Sequence, residues 1–194
     1  MNADWTRLTQ FLHEVGQLRH LPRSGYAFLG SGTESVAEHS CRTAVIAWTL
    51  ARLTGVNAER AALMALFHDL GEARVGDQNY VNRRYVMTRE RDAVCDAVRG
   101  TGLEDDIIGL WDEQEARESP EARLVRDADQ LDLLLNLKRE LELGNPQARA
   151  WMDSVEERLC TDAGRSLAKA IRDGKHTDWW LPDVAAAGEA AHDK

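Results

Sequence analysis

The sequence lacks long apolar runs, and this absence excludes one class of protein. No uninterrupted apolar segment in its 194 residues reaches the roughly 18–20 residues that a membrane-spanning helix needs. The segment Met1–Trp5 has neither a basic stretch nor an apolar core, so we expect no secretory signal peptide. We therefore expect a cytoplasmic protein with no membrane partner.

Cysteine is also scarce. Cys41, Cys95 and Cys160 are widely spaced, and no two of them form the CxxC pair that is typical of zinc and redox sites. An odd number of unpaired cysteines is typical of a protein from a reducing compartment. We expect all three to be reduced thiols in the core.

Positive charge is in deficit, because 24 Lys and Arg residues face 33 Asp and Glu residues, for a net charge of −9. Such a chain is a poor partner for a nucleic-acid polymer, whose binding depends largely on phosphate neutralisation. A small phosphate ester is not excluded, since a bound cation can neutralise it locally. The one basic stretch is either a solvated surface or a rim that meets an anion; it contains Arg74, Arg83, Arg84, Arg89 and Arg91.

No segment shows strand-like alternation of useful length, whereas apolar residues recur at helical spacings along most of the chain. The pattern predicts an all-α protein of roughly seven to eight helices, with one domain over residues 1–184 and a frayed tail over 185–194. One helix begins after the capping sequence Ser35-Val-Ala-Glu38 and continues to about Leu53. Its expected buried face consists of Val36, Cys41, Ala44, Val45, Trp48 and Leu53.

The most unusual stretch is the apolar helix over residues 58–70, which ends in His68 and Asp69, with Glu72 close behind. His39 lies in the first turn of the preceding helix. Asp129 interrupts the apolar stripe of a long helix that begins after Ser119 and ends near residue 143, and Asp132 does the same. Because an unpaired buried carboxylate is costly, Asp129 needs either an arginine such as Arg126 or a metal ion.

Two imidazoles and two carboxylates suit a divalent first-row metal. Such a metal can activate water and polarise a phosphoryl oxygen, and the nearby Glu72 can take a proton from that water. A His-Asp pair alone is weak evidence, since His192-Asp193 is a second one in the expected tail. The context of the first pair carries the hypothesis.

The order His39, His68-Asp69, Asp129 resembles that of the HD-domain metal phosphohydrolases. The resemblance extends over roughly residues 8–160 and is most similar to the 5′-deoxynucleotidase branch. It departs from the usual pattern at Tyr26, where Trp is common, and over residues 77–80. The motifs that carry the resemblance are Arg23-Ser-Gly-Tyr26, Glu34-Ser-Val-Ala-Glu-His39, His68-Asp-Leu-Gly-Glu72, Gly76-Asp77 and Arg126-Asp-Ala-Asp-Gln130.

The resemblance implies an HD-domain helical bundle and a role for each matching position. One divalent metal ion, of the set Mn, Co, Fe, Ni, Zn or Mg, would be bound by His39, His68, Asp69 and Asp129. Glu72 would transfer a proton and Arg23 would stabilise the phosphate, so these two are the expected catalytic residues. The expected substrate contacts are Arg23, Tyr26, Asp69 and Asp77. Members of this branch are commonly homodimers.

The leading hypothesis is a phosphohydrolase that cleaves deoxyribonucleoside 5′-monophosphates to nucleoside and phosphate. An HD phosphohydrolase that acts on another nucleotide or on a cofactor precursor is an alternative. A regulatory protein in which the metal only staples the fold is a third reading. Glu72 and Arg23 argue against that last reading, since a structural metal needs neither.

Overall fold

The computed structural model describes residues 4–181, and this part of the chain is helical with no strand. Eight of its α-helices have nine or more residues, which confirms the all-α prediction. The expected domain boundary at 184 and the tail 185–194 lie outside the described residues. The α-helices are α1 (Trp5–Val15), α2 (Tyr26–Leu29), α3 (Val36–Thr54), α4 (Ala58–Phe67), α5 (Glu72–Val75), α6 (Glu90–Val98), α7 (Glu104–Ala116), α8 (Pro120–Glu142), α9 (Gln147–Glu156) and α10 (Asp162–Asp173).

Capping side chains fix where the two helices nearest the site begin. At α3, Ser35 and Glu38 form the predicted capping box, in which each side chain accepts a hydrogen bond from the other's backbone N–H. At α8, the Ser119 hydroxyl accepts from the backbone N–H of Ala122, and Pro120 occupies the first helical position. The starting points of α3 and α8 are therefore encoded locally.

The long helix α8 is the centre of the bundle and packs against α3, α4, α7, α9 and α10. Its core-facing side chains Leu131, Leu134 and Leu137 are fully buried. Burying a leucine side chain contributes roughly 1.5–3 kcal/mol, so this stripe anchors the surrounding helices to α8. As a result, α3 and α4 are held against the segment of α8 that carries Asp129.

The loop before α3 is tied to the start of that helix. The backbone N–H of Arg23 donates to the Glu34 carbonyl at 2.8 Å, and the N–H of Val36 donates to the Leu21 carbonyl at 2.9 Å. The loop over residues 22–35 therefore closes on itself and holds Arg23 beside the first turn of α3.

The expected buried face of α3 is partly wrong. Val36 is buried, but Cys41, Val45, Trp48 and Leu53 are exposed. The helix buries Thr43, Ile46, Ala47 and Leu50 instead, together with His39, Ser40 and Ala51. Apolar spacing alone did not identify this face, because the buried side includes polar and small residues.

The expectation that the cysteines lie in the core is also wrong. Cys41 is exposed, and Cys95 and Cys160 are half-buried. All three are free thiols, as predicted.

None of the helices in residues 4–181 combines the length and apolar character needed to cross a membrane.

Candidate metal centre

Four of the predicted side chains meet at one point. The Nε2 atoms of His39 and His68 lie 3.3 Å apart. Asp129 Oδ1 lies 3.2 Å from His39 Nε2, and Asp69 Oδ2 lies 3.1 Å from His68 Nε2 and 3.6 Å from His39 Nε2. The donor atoms of His39, His68 and Asp129 all lie within 4.8 Å of one another, and Asp69 Oδ2 lies beside both rings.

Three packed helices bring these donors together. His39 lies in the first turn of α3, and Asp129 lies in the middle of α8. Helix α4 ends at Phe67, so His68 caps it and Asp69 begins the turn that follows. The donors thus lie at two helix ends and on one long helix, where packing rather than loop flexibility fixes their positions.

The second nitrogen of each ring contacts an acceptor. His68 Nδ1 lies 2.6 Å from the Ala65 carbonyl oxygen, and His39 Nδ1 lies 2.7 Å from Asp132 Oδ2. Because a carbonyl or carboxylate oxygen only accepts, each Nδ1 carries the hydrogen and each neutral ring has its lone pair on Nε2. Two lone pairs 3.3 Å apart repel unless a proton or a metal ion lies beside them. The donor set therefore fits a divalent cation.

The electrostatics favour positive charge at the same point. Burial alone would lower the pKa of His39. Hydrogen bonds to Asp129 and Asp132 outweigh that effect and raise the pKa to about 10. Although burial opposes it, His39 holds the pKa of Asp129 well below its usual range, and His68 does the same to the pKa of Asp69. Either protons or a cation can satisfy this charge, and metal binding would displace the protons.

Arg23 lies beside the cluster. Its Nη1 is 3.0 Å from Asp69 Oδ2 and 3.5 Å from Asp77 Oδ1, and its Nη2 is 3.9 Å from Asp129 Oδ1. Burial alone would lower the pKa of Arg23, but these three carboxylates outweigh that effect and raise it. The guanidinium therefore stays charged. Asp77 also accepts a hydrogen bond from the backbone N–H of Ser24 at 2.6 Å, which holds the arginine loop against the cluster.

Glu72 is buried beside the donors without a hydrogen bond to its Oε2 in the described part of the chain. Carboxylate oxygens of Asp69, Glu72 and Glu90 lie within 4.8 Å of one another. Burial first, and then the charges of Asp69 and Asp77, raise the pKa of Glu72 to about 9. A carboxyl group with a raised pKa in such a site is suited to proton transfer.

Gly71 explains how Glu90 reaches this cluster. A Cβ at position 71 would lie 2.7 Å from Glu90 Cγ and 3.0 Å from the Glu90 carbonyl oxygen. Glycine therefore lets the start of α6 approach the turn after His68. Burial is also the largest cause that raises the pKa of Glu90, to about 7.

Tyr26 contacts the protein rather than the four donors. Its hydroxyl accepts a hydrogen bond from Asn136 Nδ2 at 2.5 Å and lies 3.3 Å from Glu34 Oε2. Its ring lies 3.0 Å from where a Cβ on Gly32 would be. These contacts support the loop before α3, and a contact of Tyr26 with substrate stays a prediction.

The contacts of the basic stretch mostly fit a solvated surface rather than a rim that meets an anion. Arg74, Arg89 and Arg91 each form an ion pair with a nearby Asp or Glu side chain. Arg84 lies over the Tyr80 ring, with its guanidinium carbon 5.7 Å from the ring centre. These contacts are typical of a solvated surface.

Sequence reasoning named Asp132 as out of place but gave it no partner, and it missed Glu90, Arg42 and the bonds of Glu34. The signal for Asp132 was its position in an apolar stripe. In the structure its partners are His39 and Arg42. No local pattern distinguishes Glu90. For Asp129, ion pairs within residues 4–181 are to His39 and Arg23, not to Arg126.

Known proteins are similar to this chain in sequence and in fold. A sequence profile of the HD domain matches residues 15–171. The 5′-deoxynucleotidase HDDC2 of Danio rerio is 34% identical over 96% of this chain and 94% of its own length. That of Bos taurus is 33% identical over 73% of this chain and 72% of its own. The crystal structure of a "predicted metal-dependent phosphohydrolase" from Magnetospirillum magnetotacticum superposes with a TM-score of 0.68, at 29% identity, over 87% of this chain and 93% of its own.

An all-α bundle that gathers two imidazoles and two carboxylates where three helices meet defines a class of helical proteins organised around a divalent-metal site. The profile match and the identity to the Danio rerio protein narrow that class. The chain belongs to the HD-domain family.

The donor geometry predicts one divalent metal ion per chain, bound through His68. We expect His68→Ala to weaken Mn²⁺ binding by at least about 100-fold, since removing even an outer partner of a ligand costs roughly 10- to 100-fold. His13→Ala, which changes an exposed histidine of α1, should bind as the wild type does. Isothermal titration calorimetry on chelator-treated protein measures both, and equal affinities in the two variants would contradict the assignment.

Proposed function

We propose that this chain is a metal-dependent phosphohydrolase that cleaves deoxyribonucleoside 5′-monophosphates to nucleoside and phosphate. The observation that carries the proposal is Glu72, a buried carboxyl group beside the four donors whose Oε2 has no hydrogen-bond partner among residues 4–181. A metal that only staples a fold needs no such group. The cytoplasmic location expected from the sequence stays a prediction.

In this proposal His39, His68, Asp69 and Asp129 hold one divalent cation. When bound, the cation supplies Lewis acidity toward a phosphoryl oxygen and toward water.

Glu72 acts as the general base. Its burial beside Asp69 disfavours a second negative charge, and positive charge brought to the donors favours the ionised form. Oε2 then accepts a proton from the attacking water. The water oxygen bonds to phosphorus, the bond between phosphorus and the sugar oxygen breaks, and the leaving oxygen takes up a proton.

Arg23 binds the substrate phosphate. Its side chain is 20% exposed, and it lies within 3.0–3.9 Å of the carboxylates of Asp69, Asp77 and Asp129. A phosphate dianion competes with these carboxylates for the N–H donors, and the planar guanidinium matches its oxygens. The charge is already in place before substrate arrives, which favours electrostatic stabilisation of the transferring group.

The choice of nucleotide rests on the relatives. Proteins named 5′-deoxynucleotidase are 33–34% identical to this chain. The chain also covers 94% of the Danio rerio protein's length. Asp77, which anchors the loop of Arg23 through Ser24, is the residue we propose beside the sugar, with Asp69 and Tyr26 as further substrate contacts.

A substrate panel tests the proposed function. We expect phosphate release from deoxyribonucleoside 5′-monophosphates in the presence of Mn²⁺, Co²⁺ or Mg²⁺, and little release from the ribonucleotides. Phosphate is measured colorimetrically for mono-, di- and triphosphates. Release from di- or triphosphates alone would move the activity to another nucleotide class. Release from none of them with any metal would favour the regulatory reading.

Glu72→Gln is expected to lower kcat by at least about 100-fold, since a positioned general base contributes roughly 10²- to 10⁴-fold. Metal affinity should stay at the wild-type value, because Glu72 is not one of the four donors. Steady-state phosphate release and calorimetric metal binding measure the two effects.

Glu59→Gln is the matched control, since it makes the same substitution at an exposed position of α4. Wild-type kcat in Glu72→Gln would rule out the general-base role. Loss of both metal binding and turnover would instead make Glu72 a ligand.

We also propose that the chain forms a homodimer through the outer faces of α3 and α4. These two helices pack against each other, and each leaves large apolar side chains exposed. They are Val45 and Trp48 on α3, and Leu63 and Leu66 on α4. Contiguous patches of exposed apolar side chains often mark an interface between protein chains.

Light scattering coupled to size-exclusion chromatography tests the dimer. We expect the wild type to elute at twice the chain mass of 21.7 kDa, and Trp48→Glu to elute as a monomer. Trp5→Glu changes an exposed tryptophan of α1 and should remain dimeric. A monomeric wild type, or a dimer that Trp48→Glu leaves intact, would reject the proposed surface.

A further inference from the structure

Asp132 is a fully buried carboxylate one helical turn beyond Asp129 on α8 and is not one of the four donors. Its Oδ2 lies 2.7 Å from His39 Nδ1. Its Oδ1 accepts a hydrogen bond from Arg42 Nε at 2.5 Å. Each oxygen of Asp132 therefore has its own partner, and one of those partners is a predicted metal ligand.

We propose that Asp132 is a positioning residue, which holds His39 in the tautomer and ring orientation that direct Nε2 toward the metal. Arg42 and Glu34 connect this contact to the loop that carries Arg23. The inference rests on the proposed metal site and assigns a role to a residue outside it.

The contact with Asp132 determines which nitrogen of His39 is free. A carboxylate only accepts, so Nδ1 carries the hydrogen and Nε2 keeps its lone pair. Without that acceptor the neutral ring can place its hydrogen on Nε2, which cannot then bind a metal. A carboxylate that accepts from Nδ1 also raises the basicity of Nε2 as a metal ligand more than a carbonyl does. His39 differs in this respect from His68, whose Nδ1 contacts the Ala65 carbonyl.

Arg42 stabilises the buried charge of Asp132 and carries the connection outward. Its Nη2 lies 3.2 Å from the Asp132 carbonyl oxygen and 3.1 Å from Glu34 Oε1. The carbonyl of Glu34 accepts from the backbone N–H of Arg23 at 2.8 Å. A continuous set of polar contacts thus runs from the metal ligand His39 to the backbone of the phosphate-binding arginine.

Only a carboxylate satisfies both partners of Asp132. A carboxamide has one accepting oxygen and one NH₂ group, so it can accept from His39 Nδ1 or from Arg42 Nε but not from both. Whichever of His39 and Arg42 is left over would face the NH₂ group, and a hydrogen bond that is lost in a buried place is costly. Asp132→Asn therefore removes the ability to accept from both partners while nearly keeping the shape of the side chain.

Asp127→Asn is the matched control. Asp127 is on the same helix and is also fully buried, but it accepts from the backbone N–H groups of Cys160 and Thr161, each at 2.8 Å. These contacts hold the start of α10 and do not reach His39. The control removes the same charge from the same helix without touching the metal site.

The experiment measures Mn²⁺ affinity by calorimetry on chelator-treated protein, with circular dichroism to verify folding. We expect Asp132→Asn to bind Mn²⁺ about 10- to 100-fold more weakly than the wild type. Asp127→Asn should keep the wild-type affinity and show only a lower Tm. Arg42→Gln, at a half-exposed position that tolerates change, should weaken binding by a smaller factor and serves if Asp132→Asn does not fold.

A double variant tests the connection through Arg42. Because the two residues act through one contact, Asp132→Asn combined with Arg42→Gln should lose less affinity than the product of the two single losses. Multiplicative losses would overturn the role of Arg42.

The other outcomes separate this inference from the proposed function. A wild type that binds no metal rejects the metal site itself. A wild type that binds, with Asp132→Asn or the substituting Arg42→Gln at the same affinity, overturns the role of Asp132. Equal weakening in Asp132→Asn and Asp127→Asn also overturns it, since the cause would then be general destabilisation.

Discussion

The structure depends on one constraint, which is that the carboxylates gathered where α3, α4 and α8 meet need positive charge beside them. Asp69, Asp129 and Asp132 all contact an imidazole, and Arg23 and Arg42 each form an ion pair with one of them. Bringing a charge out of water costs several kcal/mol per ion, and a domain's whole stability is only about 5–15 kcal/mol. Such a concentration of charge therefore contributes little to the stability of the fold. It is best understood as a site that binds a cation.

The two arginines divide the work between them. Arg23 lies among Asp69, Asp77 and Asp129, where we propose that an incoming phosphate competes for its donors. Arg42 lies between Asp132 and Glu34. Because Glu34 also hydrogen-bonds to the backbone of Arg23, the loop before α3 connects both sides. One short segment of chain thus helps to set the positions of Arg23 and His39, the proposed phosphate-binding group and metal ligand.

Much of the site was accessible from sequence because its signals are local. His39 follows a capping box, His68 follows an apolar helix, and Asp129 interrupts an apolar stripe. Each is a polar residue where the helical pattern calls for another type, and three such departures in a fixed order are specific. The all-α architecture followed from the same periodicity.

The remainder required coordinates because it depends on contacts between distant segments. Glu90 reaches Glu72 only because Gly71 has no side chain, and no pattern around Glu90 indicates this. One of the two partners of Asp132, Arg42, lies ninety residues away in the sequence. Val45 and Trp48 recur at helical spacing like core residues, yet they are exposed, since spacing defines an apolar face without saying what covers it.

Glu72 separates an enzyme from a fold held together by a metal. The four donors, their acceptors and Asp132 all follow from the needs of a bound cation, and a structural site would have the same parts. Glu72 does not follow from those needs, because it is buried and its Oε2 has no hydrogen bond in the described residues. An unpaired buried carboxyl group is destabilising, so a chain that only bound metal would gain stability from an apolar residue there. The proton transfer that we propose for Glu72 accounts for a carboxyl group in that position.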